Sequence, residues 1–405
     1  MNEPQIPADS VADSVVRVPN TLARATGIPW RRAALVLLAL FALVGAACSS
    51  PADDAARSGG AAAVGPAVST PEGGRFPDGT TVRLLAHDSF AMSEQVLDQF
   101  TQTTNAKVEV VLGGDAGVMV NQAVLTAGNP QADVLFGIDD NLLGRAFAAD
   151  LFVPYASTGL ADVLATVSRD PENRVTPIDY GDVCINYDRA WFRDRGLPVP
   201  TTFEALADPA YKDLLVVQDP SASSPGLAFL LATVARFGGA DNDATDAAWL
   251  AYWQQLEDNG VKVVDSWETA YYTEFSGSSG QGPRPLVVSY GSSPVAEITD
   301  PSLPVDQTPT GSVEATCSRQ TEFAGVLRGA AQPAAAQALI DFMLTVAFQE
   351  QVPEQMYVYP VNSAATLPPT WATFAQPAPQ PWVVPATTVD TRRDTWLQQW
   401  SGLFR

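Results

Sequence analysis

Apolar positions follow two rhythms along most of the chain. Residues 82–86 form a short apolar run of strand length, and 93–104 then set Val96, Leu97 and Phe100 at helical spacing. Residues 108–112 read as a second strand. A Gly113-Gly114-Asp115-Ala116-Gly117 turn follows, then a helix carrying Val120, Val124 and Leu125. A third strand at 133–138 runs into Asp139-Asp140-Asn141, a candidate cap for the next helix. Strand, helix and strand in this order predict an α/β fold with a parallel sheet covered on both faces.

The rhythm then restarts. Thr201 and Glu204 fit a capping box, and 214–217 read as a strand. Ser224-Pro225 opens a helix over 226–237 that Gly238-Gly239 stops. A helix near 247–256, strands at 261–264 and 286–289, and a return segment at 322–327 come next. Helices at 334–348 and about 390–404 close the chain, the last with Trp396 and Trp400 spaced i, i+4 as packing residues. A restart of this kind predicts two lobes with a ligand cleft between them. Residues 79–182 and 318–405, with the terminal helices, form the first; residues 183–317 form the second. The chain crosses near 182–187 and 316–324.

One apolar run stands apart. Residues 33–44 follow Arg31-Arg32 and end at Gly45-Ala46-Ala47-Cys48, the pattern of a bacterial export signal. The run is shorter than the ~20 residues that span a bilayer. Cys48 after small residues resembles a lipobox cysteine. The expectation is a signal peptide at 1–47, lipid on Cys48, and residence as a lipoprotein on the outer face of the cell membrane. Ordinary signal cleavage nearby is the alternative. Residues 48–78, rich in Ala, Gly, Pro and Ser, read as a flexible tether spanning roughly 30 Å. Cleavage leaves Cys184 and Cys317, one in each crossing; outside the cytoplasm an even pair favours a disulfide, against two separately buried thiols.

Composition narrows the chemistry. The 405 residues, 46% hydrophobic and 17% charged, suffice for two lobes. With 23 Lys and Arg against 45 Asp and Glu, the net charge is −22. That disfavours nucleic acid and suits a cationic ligand. One histidine, His87, rules out a zinc site built from several imidazoles. Neither a Gly-x-Ser-x-Gly elbow, a Walker A loop nor an HExxH motif occurs. No catalytic residue, metal site or cofactor is therefore predicted, and the chain does not read as an enzyme.

Ligands of open α/β sheets bind beyond the carboxyl ends of the strands. The residues there are His87-Asp88-Ser89-Phe90, 113–117, 218–224, Asp265-Ser266-Trp267 and Tyr290-Gly291-Ser292-Ser293. Ser223 and Ser224, at a helix N-terminus, suit an anion or hydroxyl, or are ordinary caps. Trp267 and Tyr290 offer π faces to an organic cation, at about 0.5–2 kcal/mol per contact, or belong to the core. Asp88 and Asp115 accept from a ligand amine or cap a helix. His87 touches ligand or bonds to its own loop.

Several segments together resemble one family. They are His87-Asp88-Ser89-Phe90-Ala91, residues 132–143, Asp179-Tyr180-Gly181, Gln218-Asp219-Pro220 with residues 223–227, residues 266–271, residues 286–290 with Ser293-Pro294, and Tyr359-Pro360-Val361. Over roughly 81–405, in order and spacing, the chain resembles the thiamine-binding proteins of ABC importers. The resemblance implies a two-lobed monomer that closes on thiamine or its phosphates and works with a permease and its ATPase. It places ligand contacts on Asp115, Gly117, Ser223, Ser224, Trp267, Tyr290, Gly291, Ser292 and Ser293. The chain departs from the family at His87, where Tyr is usual, at Ala296, where an aromatic is expected, and at Tyr357, which replaces Trp. On the same scaffold, ferric iron, a polyamine or a phosphonate are alternatives, and Tyr271-Tyr272 resembles the tyrosine pair of ferric-binding proteins. An extracellular hydrolase using His87 as base is a remoter one.

Overall fold

The computed structural model describes residues 74–239, 246–279 and 281–404. The export segment 1–47, Cys48 and the tether as far as residue 73 lie outside the described residues. Strand β1 (Thr81–Ala86) leads into helix α1 (Glu94–Thr104). The Ser93 hydroxyl caps α1 by accepting from Val96 N, and Asn105 at φ 65° ends it. Val96 and Phe100 face the sheet, as their spacing requires. Next come β2 (Lys107–Leu112), α2 (Ala116–Leu125), β3 (Val134–Asp139), α3 (Leu143–Ala148) and β4 (Phe152–Val153). The long strand β5 (Thr176–Asp188) carries the chain out of this half.

The other half holds α4 (Arg189–Arg195), α5 (Phe203–Leu206), β6 (Leu215–Gln218), α6 (Ser224–Phe237), α7 (Ala247–Asp258) and β7 (Lys262–Val264). It continues through α8 (Ser276–Ser279) and β8 (Leu286–Tyr290), and β9 (Thr310–Leu327) brings the chain back. The last elements are α9 (Pro333–Met343), α10 (Val346–Gln349), α11 (Val352–Gln355), β10 (Tyr359–Pro360), α12 (Trp371–Phe374) and α13 (Ala386–Leu403).

The hydrogen-bonded order is β2-β1-β3-β9-β5-β8-β6-β7. Each half has a parallel part: β1 with β2 and β3, and β6 with β7 and β8. The sheet as a whole is mixed, not parallel as the rhythm suggested. β5 and β9 run antiparallel to one another through both halves. At 13 and 18 residues they are crossing strands, and a return crossing necessarily opposes the outward one. Their register shifts between Val183 and Ile185, where Cys184 is joined by a disulfide to Cys317 of β9.

Local signals differ from expectation where tertiary contacts compete. Thr202, not Thr201, caps α5. No side chain caps α3, because the Asp139 carboxylate is taken by Asn141 N and the Ser224 hydroxyl. The helix expected over 334–348 is two: α9 ends at Met343, and Thr345 starts α10. Trp396 and Trp400 are buried, the latter edge-on to Trp253 at 5.5 Å. Helix α13 thus packs on α7 as well as α3, and Arg392 grips Asp246 at 2.6 and 2.8 Å. None of the described helices is long and apolar enough to cross a membrane.

Candidate ligand-binding cleft

The loops at the strand ends of both halves enclose a cavity of about 320 Å³, within the range of small-molecule sites. Its floor is polar. His87 follows β1 and sits beneath Gly137, whose φ of 89° and missing Cβ leave room for the imidazole. The His87 Nε2 lies 3.6 Å from Glu322 Oε2 on β9. Burial pulls the imidazole pKa down, but Glu322, then Asp115 and Asp88, outweigh it and hold it above 6.5. Glu322 lies opposite Asp179 of β5, whose fully buried carboxyl is pushed well above its usual range by burial and by the Glu322 charge. Asp139 nearby is raised to about 6, again mainly by burial.

One wall is aromatic. Trp267 stacks on Tyr271 with centroids 5.0 Å apart and planes 14° from parallel. Its indole N–H donates to Ser289 Oγ at 2.9 Å, fixing the ring plane. Tyr271 donates to Glu297 Oε1 at 3.0 Å, and Tyr272 stands edge-on to Trp267. Residues Thr269–Glu274 form a π-helical turn, a wider winding than the α-helix, and both tyrosines line the cavity. Tyr290 closes the far side, its hydroxyl accepting from Gln320 Nε2 at 2.9 Å. Tyr357 reaches the rim at φ 57°, a conformation unusual for a bulky residue, and its carbonyl accepts from Ser292 Oγ at 2.6 Å. Five carboxylates line the space: Asp88, Asp115, Glu268, Glu297 and Glu322. Among the described residues no lysine or arginine does. Burial raises the pKa of Asp115, Glu268 and Glu297.

Two halves, crossing strands and a small acidic–aromatic cleft describe a receptor for a small solute, and the comparisons agree. Residues 129–379 match the model of the bacterial extracellular solute-binding protein family. The chain belongs to that family. The thiamine-binding periplasmic protein of Escherichia coli (strain K12) is 29% identical to it over 322 residues, covering 78% of this chain and 91% of that one. The protein of the same name from Brucella suis biovar 1 (strain 1330) is 28% identical, with 79% and 91% covered. A solved periplasmic thiamin binding protein has a TM-score of 0.69 at 26% identity, covering 81% of this chain and 99% of that one. A ferric binding protein from Campylobacter jejuni, 14% identical with a TM-score of 0.61, shares the two-lobed fold.

In this solute-binding protein, seven of the expected contact residues line the cleft: His87, Asp115, Ser224, Trp267, Tyr290, Ser293 and Tyr357. Gly117, Ser223, Gly291 and Ser292 do not. Gly117 packs against the Ala222 carbonyl, where a Cβ would come within 2.5 Å. Ser223 is buried beside Asp115. Gly291 lies against the disulfide and donates to Asp182 O at 2.7 Å, while Ser292 is spent on Tyr357. Reading the chain alone did not single out Glu322, Glu268, Glu297 or Met356 as cleft residues. Glu322 lies inside a strand rather than after one, so a search of strand ends passes it by. Glu268 was in view, directly after Trp267.

Proposed function

We propose that this chain is the extracytoplasmic receptor of an ABC importer for thiamine, tethered to the cell surface by lipid on Cys48. The observation that carries the ligand is the cleft lining: a stacked Trp267–Tyr271 pair and five carboxylates, with no lysine or arginine among the described lining residues. An aromatic face and negative charge both favour a permanently cationic heterocycle. The thiamine-binding relatives in E. coli and Brucella support the same ligand. Calorimetry of the purified protein with thiamine is expected to give saturable binding of one molecule per chain. Neither heat nor a change in tryptophan fluorescence on adding the vitamin would overturn the assignment.

The iron alternative finds less support. The Tyr271 hydroxyl is donated to Glu297 Oε1 at 3.0 Å and its ring is stacked on Trp267, which commits it to the aromatic wall. The lipid anchor has its own test. Cells expressing the protein are expected to incorporate a palmitate analogue into it, and Cys48→Ala to abolish that labelling. Label retained by the variant would refute the anchor.

A further inference from the structure

The crossing strands β5 and β9 set two buried carboxyl groups opposite two very different partners. Asp182 lies across from Arg319, whose guanidinium donates to it at 2.7 and 2.8 Å, and Ala378 N adds a third bond at 2.7 Å. Asp179 lies instead across from Glu322. It has no exposed surface, and neither of its oxygens has a hydrogen-bond partner among the described residues. Its neighbour on the other side is Pro360 of β10, which has no N–H to offer. A buried charge without a donor, beside a second negative charge, is heavily penalised in a protein interior. An un-ionised carboxyl removes that penalty, because its O–H has an acceptor in Glu322. We infer that Asp179 is a neutral acid whose O–H is donated to the Glu322 carboxylate, positioning Glu322 as an anion on the cleft floor.

Glu322 is otherwise poorly held. The Gln320 amide donates to its Oε1 at 3.4 Å, and His87 Nε2 stands 3.6 Å from its Oε2. Both are long contacts for a carboxylate that is only 6% exposed. An O–H donated to a carboxylate makes a shorter and stronger bond. The other titratable groups around Glu322 are His87 after β1, Asp139 and Asp140 at the end of β3, and Tyr290 of β8. Of these, Tyr290 also feels Asp179. Burial and the Glu322 charge push the Asp179 carboxyl well above its usual range, the direction this geometry requires. Glu322 lines the cavity and Asp179 does not, so Asp179 acts through Glu322. The pair then carries one negative charge, placed on the carboxyl that meets the ligand.

Protonation of Asp179 is independent of the ligand, whereas its effect on affinity rests on the thiamine reading. Infrared spectra of the purified protein at about pH 8, far above the ordinary carboxyl range, test the first. The difference between wild type and Asp179→Asn is expected to contain the carbonyl band of a protonated carboxylic acid, carried by the wild type. Carboxylate bands in its place overturn the inference, whatever the protein binds. Calorimetry with thiamine at neutral pH tests the second. Asp179→Asn, whose amide N–H replaces the O–H, is expected to bind within about twofold of wild type, and Asp179→Ala about fivefold or more weakly. Asparagine costing as much as alanine overturns the inference, since the site would then use the ionised carboxylate rather than a donated hydrogen. Wild-type affinity in a folded Asp179→Ala protein overturns it as well. Should Asp179→Ala not fold, the spectrum and affinity of Asp179→Asn still decide. Silence of the wild type toward thiamine with the acid band present overturns the thiamine reading alone.

Discussion

Trp267 shows what a single residue owes to its neighbours. In the sequence it is a lone aromatic after a strand, suited equally to core or ligand platform. Its ring is committed by two contacts: Tyr271, four residues on, stacked against it, and Ser289, on strand β8, holding the indole N–H. With the plane fixed before binding, little rotamer freedom is left to lose. Trp267→Ala is expected to weaken thiamine binding by the ~0.5–2 kcal/mol of one cation–π contact, roughly two- to thirtyfold. Calorimetry reads it directly, and wild-type affinity would remove the indole from the site. Glu322 is the converse case. Nothing local marks it, and its place beside His87 depends on β9 lying between β3 and β5.

Among elements, the decisive contact is between the N-terminus of α2 and the loop before α6. Gly117 sits within α2, where alanine would ordinarily favour the helix by about 1 kcal/mol. Against that gain stands the Ala222 carbonyl, 2.5 Å from where the new Cβ would lie. Overpacking against backbone costs about 1–3 kcal/mol, so the clash outweighs the propensity. Gly117→Ala is therefore expected to weaken ligand binding about tenfold by holding the two halves apart. The melting temperature should change little, since either half relieves the clash by moving as a body. A variant that bound like wild type would show that this contact does not govern closure. The glycine was legible in the sequence as part of a turn motif. Its role as spacer between halves was not, since Ala222 is over a hundred positions away.

For the whole molecule, charge in the cleft sets the dependence on pH. His87 is held above 6.5, and burial raises Asp115, Glu268 and Glu297. As pH falls, His87 gains positive charge and the carboxylates lose negative charge. Both changes oppose a cationic ligand. Thiamine affinity is expected to be highest above the raised imidazole pKa and to fall as pH drops through it, with the carboxylates adding to the loss further down. Binding should also release protons, visible as a dependence of the measured heat on buffer ionisation enthalpy. An affinity constant between roughly pH 8 and pH 5 would show that these groups do not sense the ligand.

The sequence alone determined the α/β rhythm, the restart at the second half, the strand-end loops that hold six of the seven expected cleft residues, and the placement of one cysteine in each crossing. These are local or periodic properties, written in the order of apolar, glycine and proline positions. Only the tertiary structure decided that the sheet is mixed, that α13 packs on both α7 and α3, and that the Asp115 carboxylate accepts from the N–H groups of Ala116, Ser224 and Trp267. It likewise decided that Glu322 and the tyrosines of a π-helical turn face the cleft. Those features depend on residues about 100 to over 200 positions apart being brought together by β5 and β9. Burial there changes both what a carboxylate can bond to and when it carries charge.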